Sequence, residues 1–145
     1  MRKEIIICLF IITLIIIVNT ITQNYTKVCV SKMNEKIDAI NQIVYNQVNL
    51  QQASNEKEKG EGSKINKKMV QDEISNLEST WNEFQEKLAY YIEHDELEKV
   101  ETQIYAIKGF YEAEKYDEIL PEAEKCTFIL KHIEEKNKLS IKNIF

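Results

Sequence analysis

The sequence has very few of the residues that turn a chain. Three glycines and one proline occur among its 145 residues. A sheet needs frequent turns, and Gly and Pro are the residues that most often supply them, so this composition argues against a β architecture. Lys, Glu, Ile, Asn and Gln dominate instead. This composition predicts an all-α protein built from long helices.

Residue patterns typical of catalysis are also missing. The chain has only two histidines, and it contains no Gly-rich phosphate loop and no Ser-x-x-Lys or Gly-x-Ser-x-Gly motif. We therefore predict no catalytic residue, no bound cofactor and no enzyme activity. The formal net charge is −5, and an acidic surface repels phosphate backbones, so nucleic acid is not an expected partner.

Cysteine is scarce as well, with one residue in an apolar run (Cys8) and two further along the chain (Cys29 and Cys126). Two cysteines without a close spacing pattern make a poor disulfide framework. Cys126 also lies on an apolar stripe, where a buried free thiol is common. The sequence leaves open whether Cys29 and Cys126 pair.

The most prominent feature that is present is a long apolar run near the start. Residues 5–18 read IIICLFIITLIIIV and are interrupted only by Thr13. A signal peptide has a similar run, but the following residues, NTITQ, offer no small residue for cleavage. With residues 19–22 included, a helix would cover about 27 Å, close to the roughly 30 Å hydrocarbon core of a bilayer. We therefore predict an uncleaved signal anchor over residues 1–23.

The flanking charges predict the orientation of this anchor. Arg2 and Lys3 precede the apolar run and should stay in the cytoplasm by the positive-inside rule. Lys27 and Lys32 on the other side weaken this bias without reversing it. The predicted localisation is the cell membrane, crossed once, with the C-terminal domain outside the cytoplasm.

Four amphipathic segments follow, with apolar residues at alternating spacings of three and four, as on the buried faces of helices. The stripes are Val30, Met33, Ile37, Ile40, Val44 and Val48; then Val70, Ile74, Leu77, Trp81, Phe84, Leu88 and Tyr91; then Leu97, Val100, Ile104, Ile107 and Tyr111; then Ile119, Ala123, Cys126, Leu130 and Ile133. We predict that residues 24–53 continue the anchor helix, that residues 54–66 form a polar linker and that residues 67–145 form a bundle domain.

Long helices joined by short turns pack antiparallel. The sequence predicts an up-down bundle of three to four helices, in which the first amphipathic helix either joins as the fourth or stands apart as a stalk. The large aromatic side chains expected to supply most of the core volume are Trp81, Phe84, Phe110 and Phe128.

The helix ends are predicted from their capping residues. At residues 93–96 the apolar stripe loses phase, which indicates a tight turn, with a kinked continuous helix as the alternative. Asp95 and Glu98 have the spacing of a capping box. Asp117 is expected to cap the last helix, with Pro121 in its first turn, where the missing N–H carries no penalty.

Candidate site residues lie around this predicted turn. The tyrosine-rich belt of the second and third helices consists of Tyr90, Tyr91, Tyr105, Tyr111 and Tyr116, and it either packs within the bundle or docks a protein. His94, Glu98 and Glu101 have a weak metal-like spacing. A histidine at the end of the second helix more often balances the helix dipole, so no metal ligand is predicted. The predicted interaction surface comprises Tyr90, Tyr105, His94, Glu98 and Glu101.

Several of these features resemble a known family. The basic start, the Ile/Leu-rich anchor, Trp81, the run YYIEHDELEKVETQI at 90–104 and the ending KNIF at 142–145 are similar to small membrane-associated Firmicutes proteins of domain-of-unknown-function family 4363. The resemblance implies membrane association and a helical fold, and it implies no activity.

The sequence thus favours a membrane-anchored, extracytoplasmic helical protein with a non-enzymatic structural or protein-interaction role. The expected partners are the membrane and another protein. The alternative is a ligand-sensing accessory module, which would have to act through a partner membrane protein because nothing after Val18 could form a second span.

Overall fold

The computed structural model describes the backbone of residues 2–53 and 61–142, and the side chains of residues 3–46 and 67–138. Within these ranges the chain forms four helices and no strand: α1 (Arg2–Ala53), α2 (Glu61–Leu88), α3 (His94–Glu112) and α4 (Tyr116–Lys142). The predicted all-α fold class, an apolar N-terminal helix followed by packed helices, is confirmed.

Helix α1 is unbroken because residues 2–53 contain neither Gly nor Pro. Its two halves have opposite environments. The side chains of the apolar run, Ile5–Val18, are exposed, whereas those from Cys29 to Val44 that lie on the apolar stripe are buried. Burial begins at Thr26, which therefore marks where the bundle starts on α1.

The bundle is a four-helix square. Helix α1 packs against α2 and α4, and α3 packs against the same two helices, so α1 and α3 occupy opposite corners. The hydrogen bonds and ion pairs that join neighbouring helices all have the register of antiparallel pairs. Of the two alternatives left open by the sequence, α1 joins the bundle as the fourth helix.

The predicted stripes form the core. Every stripe residue with a described side chain is buried, apart from Tyr91 and Tyr111, which are half-buried against the core; Val48 lies outside the described side chains. The expectation for the aromatic residues is wrong in one case. Phe128 is 73 % exposed because it stands two residues from both Cys126 and Leu130 and so lies on the opposite face of α4. Phe110 only packs against the edge of the core.

A tight turn separates α2 from α3, as expected, and excludes a continuous kinked helix. Ile92 donates its backbone N–H to the carbonyl of Leu88 at 2.8 Å, which closes the end of α2. The predicted capping box is wrong. Helix α3 begins at His94 with Glu93 at the N-cap and no side-chain cap, so Asp95 already lies inside the first turn. There its negative charge still interacts favourably with the positive end of the helix dipole.

Helices α3 and α4 are joined by a Schellman-type ending. Lys115 donates its N–H to the carbonyl of Phe110 at 2.9 Å, and Glu114 adopts a positive φ of 56°. This left-handed conformation is usually taken by glycine. The carboxylate of Glu114 forms an ion pair with Lys67 of α2 at 2.8 Å, which ties the turn to the neighbouring helix.

Helix α4 begins two residues earlier than the predicted N-cap at Asp117 implies. Tyr116 is already helical, so Asp117 lies in the first turn instead of at the N-cap. Pro121 is the sixth residue of the helix and lies beyond the first turn, contrary to expectation. At this position its missing N–H deprives the carbonyl of Asp117 of the usual helical donor.

The segment between α1 and α2 ends earlier than predicted. The polar linker was expected through residue 66, but the backbone is helical from Glu61 onward. After Gly62 no helix breaker follows, and a nucleated helix extends readily through such residues. Residues 54–60 and 143–145 of the predicted linker and bundle domain lie outside the described residues.

The position of Trp81 gives a test of the bundle. Its ring is 2 % exposed, and its indole N–H has no hydrogen-bond partner among the described residues. Trp81→Ala is expected to lower the free energy of unfolding of the full chain in mild detergent by about 3–5 kcal/mol, because it leaves a large cavity. Trp81→Phe keeps an aromatic ring and removes the unpaired donor, so its effect should be clearly smaller. A loss below about 1 kcal/mol for the alanine variant, measured by urea unfolding, would contradict the buried position.

Candidate functional site

The residues of the predicted interaction surface lie along one side of α3 and in the turn before it. His94, Glu98, Glu101 and Tyr105 are spaced by four, three and four residues, so they form one stripe beside α2. Tyr90 in the turn is 89 % exposed, and Tyr105 is 57 % exposed. The stripe therefore offers aromatic and acidic side chains to the surroundings, and whether it binds a partner stays a prediction.

The structure pairs the polar members of this stripe. His94 Nε2 lies 3.1 Å from Glu98 Oε1. Glu101 accepts a hydrogen bond of 3.3 Å from the amide of Gln85 on α2. His94 is the first residue of α3, so the interpretation that it balances the C-terminal dipole of α2 is wrong. Within the described residues no three His, Cys, Asp or Glu side chains are grouped so that they could hold a metal ion.

Four of the five tyrosines in the tyrosine-rich belt fall into two groups, and the fifth, Tyr91, belongs to the polar cluster described next. Tyr111 and Tyr116 point into the bundle, where their rings meet edge to face with centroids 6.2 Å apart. Tyr111 donates its hydroxyl to the carbonyl of Lys67 at 2.9 Å. Burial raises the pKa of Tyr111, and the negative charge that a neighbouring Tyr116 would carry raises it further. Packing thus accounts for these two residues, while Tyr90 and Tyr105 remain available at the surface.

A polar cluster that the sequence did not indicate lies where the bundle begins. We call Thr22, Thr26, Tyr91 and Asn137 the junction cluster. Thr26 Oγ1 lies 3.1 Å from the hydroxyl of Tyr91 and accepts a hydrogen bond of 2.9 Å from the amide of Asn137. The Tyr91 hydroxyl also donates to the carbonyl of Thr22 at 3.4 Å. The cluster fastens the α2–α3 turn and the end of α4 to the same turn of α1.

A small cavity of about 160 Å³ lies beside this cluster. Its lining residues are Tyr91, Ile92, Glu93, Glu96, Ile133, Lys136 and Asn137. Lys136 reaches across from α4 to Glu93 at 2.7 Å and to Glu96 at 3.4 Å, and Lys99 approaches Glu96 at 3.2 Å. The charges therefore alternate in sign around the mouth, and the cavity has room for several water molecules.

Glu96 is the unusual member of this lining, since it is only 6 % exposed. Both lysines approach its Oε1, while its Oε2 is buried without a hydrogen-bond partner among the described residues. Burial acts to raise the pKa of Glu96, but hydrogen bonds and charge from Lys99 and Lys136 outweigh it and lower the pKa overall. The sequence could have indicated the burial of Glu96, because Glu96 stands four residues before Val100 and therefore on the core face of α3.

The two bundle cysteines are free thiols. Thr26 faces Asn137, Cys29 lies three residues farther along α1, and Cys126 lies eleven residues before Asn137. Because the helices are antiparallel, moving three residues along α1 corresponds to moving three residues back along α4, so Cys126 lies eight residues beyond the level of Cys29. Eight residues of helix separate the two cysteines by about 12 Å along the axis. A disulfide needs Cα atoms within about 7 Å, so this register does not allow the pair. Burial raises the pKa of Cys29 to about 11 and that of Cys126 to about 12, which makes both poor nucleophiles.

The exposed half of α1 has the properties of a span. It is long and apolar enough to cross a membrane, and its most apolar window is 0 % buried against the rest of the protein. Its threonine hydroxyls do not remain free. Thr13 donates to the carbonyl of Leu9 and Thr20 to that of Ile16, both at 2.8 Å. Such bonds back to the helix let threonine lie in an apolar environment.

Together these features define a class of protein, a four-helix bundle whose first helix begins as a candidate membrane span. Residues 63–144 match the family described as "Domain of unknown function (DUF4363)", and the chain belongs to that family because the match covers more than half of its length. No curated protein and no solved structure matches the chain. The matched region holds α2, α3 and α4, while α1 lies before it.

The buried carboxylate predicts a pH dependence of stability. Because the pKa of Glu96 is lowered in the folded state, its ionised form stabilises the bundle at pH values above its unfolded pKa, and this contribution is lost as pH falls through the folded pKa. Glu96→Gln should therefore melt at a lower temperature than the wild type at neutral pH, and the difference should shrink in acid.

The matched control is Glu124→Gln, which removes an exposed carboxylate of α4 that has no ion pair among the described residues. Thermal melts followed by circular dichroism across the acidic range should show little pH-dependent difference for this control. A Glu96→Gln deficit that is the same at neutral and acidic pH would contradict the charged role of Glu96.

Proposed function

We propose that this chain is a membrane-anchored, non-enzymatic protein that presents its helical bundle outside the cytoplasm and there binds another protein. One observation carries the proposal: an unbroken helix whose first half is apolar and fully exposed and whose second half is part of the bundle core. An apolar face of this size is unfavourable in water, whereas a bilayer would cover all of it.

The length and polarity of α1 fit a single crossing. Residues 5–22 of the helix cover about 27 Å, and the threonine hydroxyls within them are bonded to the helix backbone. Arg2 and Lys3 at the start support an orientation with the N-terminus in the cytoplasm. The bundle would then lie on the outer side of the cell membrane.

Charges placed in the apolar half test the anchor. Ile12 and Ile16 are exposed and do not belong to the core. Ile12→Lys with Ile16→Lys should move the protein from the carbonate-resistant membrane pellet to the soluble fraction, because each lysine at mid-membrane costs about 2.5–3.5 kcal/mol. Ile12→Leu with Ile16→Leu is the control and should stay in the pellet.

The same fractions reveal whether the N-terminus is retained and on which side the bundle lies. Mass spectrometry of the pellet should find the intact N-terminus, and a soluble wild-type product that starts near residues 20–25 would refute anchoring. A thiol reagent that cannot cross the membrane should label Ser79→Cys in intact cells, in protein that also carries Cys8→Ser. Ser79 is exposed, Cys29 and Cys126 are buried, and Cys8 is the exposed native thiol. Labelling only after lysis would mean that the bundle lies in the cytoplasm, opposite to the proposed orientation.

The interaction role is assigned to the stripe on α3. Exposed aromatic residues beside paired polar groups are frequent in protein interfaces, and Tyr105 is flanked along the stripe by Glu101. No covering element of this chain lies over Tyr105 among the described residues. This surface therefore suits a protein partner that approaches from the side of the bundle.

Photo-crosslinking in cells tests the interaction role with two tyrosines of similar exposure. Tyr105 on α3 is 57 % exposed and Tyr45 on α1 is 60 % exposed, and the two helices occupy opposite corners of the bundle. Benzoylphenylalanine at position 105 should give a discrete crosslinked band that is absent when it replaces Tyr45. Equal bands at both positions, or none at 105, would contradict the assignment.

The cavity beside Glu96 favours one second candidate, a ligand-sensing accessory module that acts through a partner membrane protein. Its supporting observation is the buried Oε2 of Glu96, an acceptor that a small molecule with an N–H or O–H group could use. The cavity is small, and its charged groups already pair with one another. We therefore place this function after the protein-interaction role.

A further inference from the structure

The end of the bundle nearest the apolar run lies level with the end of that run. The hydroxyl of Tyr91, in the α2–α3 turn, donates to the carbonyl of Thr22. Thr22 follows Val18, the last residue of the run, by four residues, or about 6 Å of helix. The α2–α3 turn is thus held within one helical turn of the apolar segment.

Helix α4 ends at the same level. The amide of Asn137 donates to Thr26, and α4 continues from there for five residues to Lys142, about 8 Å toward the apolar run. In the antiparallel register its last residue lies level with Ile21 of α1, which is exposed. Both the turn and the end of α4 therefore stop just short of the apolar run.

No spacer separates the two parts of the protein. Helix α1 passes from the apolar run into the bundle without a break, and the first buried side chain, Thr26, follows eight residues after Val18. The headgroup layer of a bilayer is about 5–8 Å thick on each side. If α1 spans the membrane over residues 5–22 as proposed above, the turn and the end of α4 lie level with the last residues of the span, where the hydrocarbon core meets this layer.

We infer that the bundle rests directly on the phospholipid headgroups, with Tyr90 of the α2–α3 turn immersed among them. This inference depends on the proposed membrane anchor. Tyr90 is the most exposed of the large apolar and aromatic side chains that the structure describes, and tyrosine is enriched where membrane and water meet because its ring is apolar and its hydroxyl polar. Lys87, whose ammonium lies 5.7 Å from the ring centroid of Tyr25, adds a cation at the same end.

The chemistry of this end favours zwitterionic lipid over a strongly anionic surface. Glu93 and Asp95 lie in or beside the turn and would be repelled by anionic headgroups. Lys136 is already paired with Glu93 and Glu96. Contact therefore depends on the exposed tyrosine of the turn and not on a basic patch.

Two exposed tyrosines at different distances from the membrane end of the bundle allow a direct test. Tyr90 lies in the turn, whereas Tyr105 lies eleven residues beyond the start of α3, about 16 Å farther from the membrane end. Tyr90→Trp and Tyr105→Trp are each made in full-length protein carrying Trp81→Phe. The proteins are reconstituted in phosphatidylcholine vesicles that contain a lipid spin-labelled at its headgroup.

The tryptophan introduced by Tyr90→Trp should lose much of its fluorescence to the headgroup label and shift to shorter wavelength, while that from Tyr105→Trp should keep its emission. If Trp81→Phe fails to fold by circular dichroism, the same variants are made with Trp81 present, which is buried and gives a constant background. Absence of quenching at position 90 in protein that floats with the vesicles would overturn the inference but leave the anchor intact. Equal quenching at both positions would mean that the bundle lies flat, which also overturns it. Protein that does not float with the vesicles would instead refute the anchor.

Discussion

The arrangement depends on one helix that meets two different surroundings without a break. The side chains of residues 5–18 on α1 are exposed and, apart from Thr13, apolar, and from Thr26 onward one face of the helix is buried against α2 and α4. A helix without Gly or Pro has no hinge at which these halves could turn relative to each other. The direction of the apolar run therefore fixes the direction of the bundle, and the junction cluster fixes the height at which the other helices end.

The family match and the packed core do not have the same extent. The match covers α2, α3 and α4, yet α1 closes the fourth side of the core with Cys29, Val30, Met33, Ile37, Ile40 and Val44. The sequence left open whether α1 would join the bundle. Without α1 the inner faces of α2 and α4 would be open to water, so α1 contributes to folding of the matched region.

Most of the fold could be read from the sequence because it depends on periodicity. The stripes on all four helices were identified from the spacing of apolar residues, and the same spacing would have placed Phe128 outside had it been applied to that residue. Helix ends were less predictable. The capping box at Asp95 and the place of Pro121 depended on shifts of one or two residues, which local side-chain preferences do not resolve. The junction cluster joins α1, the α2–α3 turn and α4, and the Glu96 cavity joins this turn, α3 and α4, so only the packed structure brings these residues together.

In the proposed anchored protein, the short passage between Val18 and Thr26 would also affect how long the bundle stays attached to the membrane. Many anchored proteins are shed when a protease cuts an extended stalk between membrane and domain. Here that passage is continuous helix, and Thr22 and Thr26 within it are bonded to Tyr91 and Asn137. A protease needs an unfolded segment, and unwinding α1 at this point would break the junction cluster and open the core beside it. In the proposed anchored protein, release of the bundle by cleavage next to the membrane would therefore be slow.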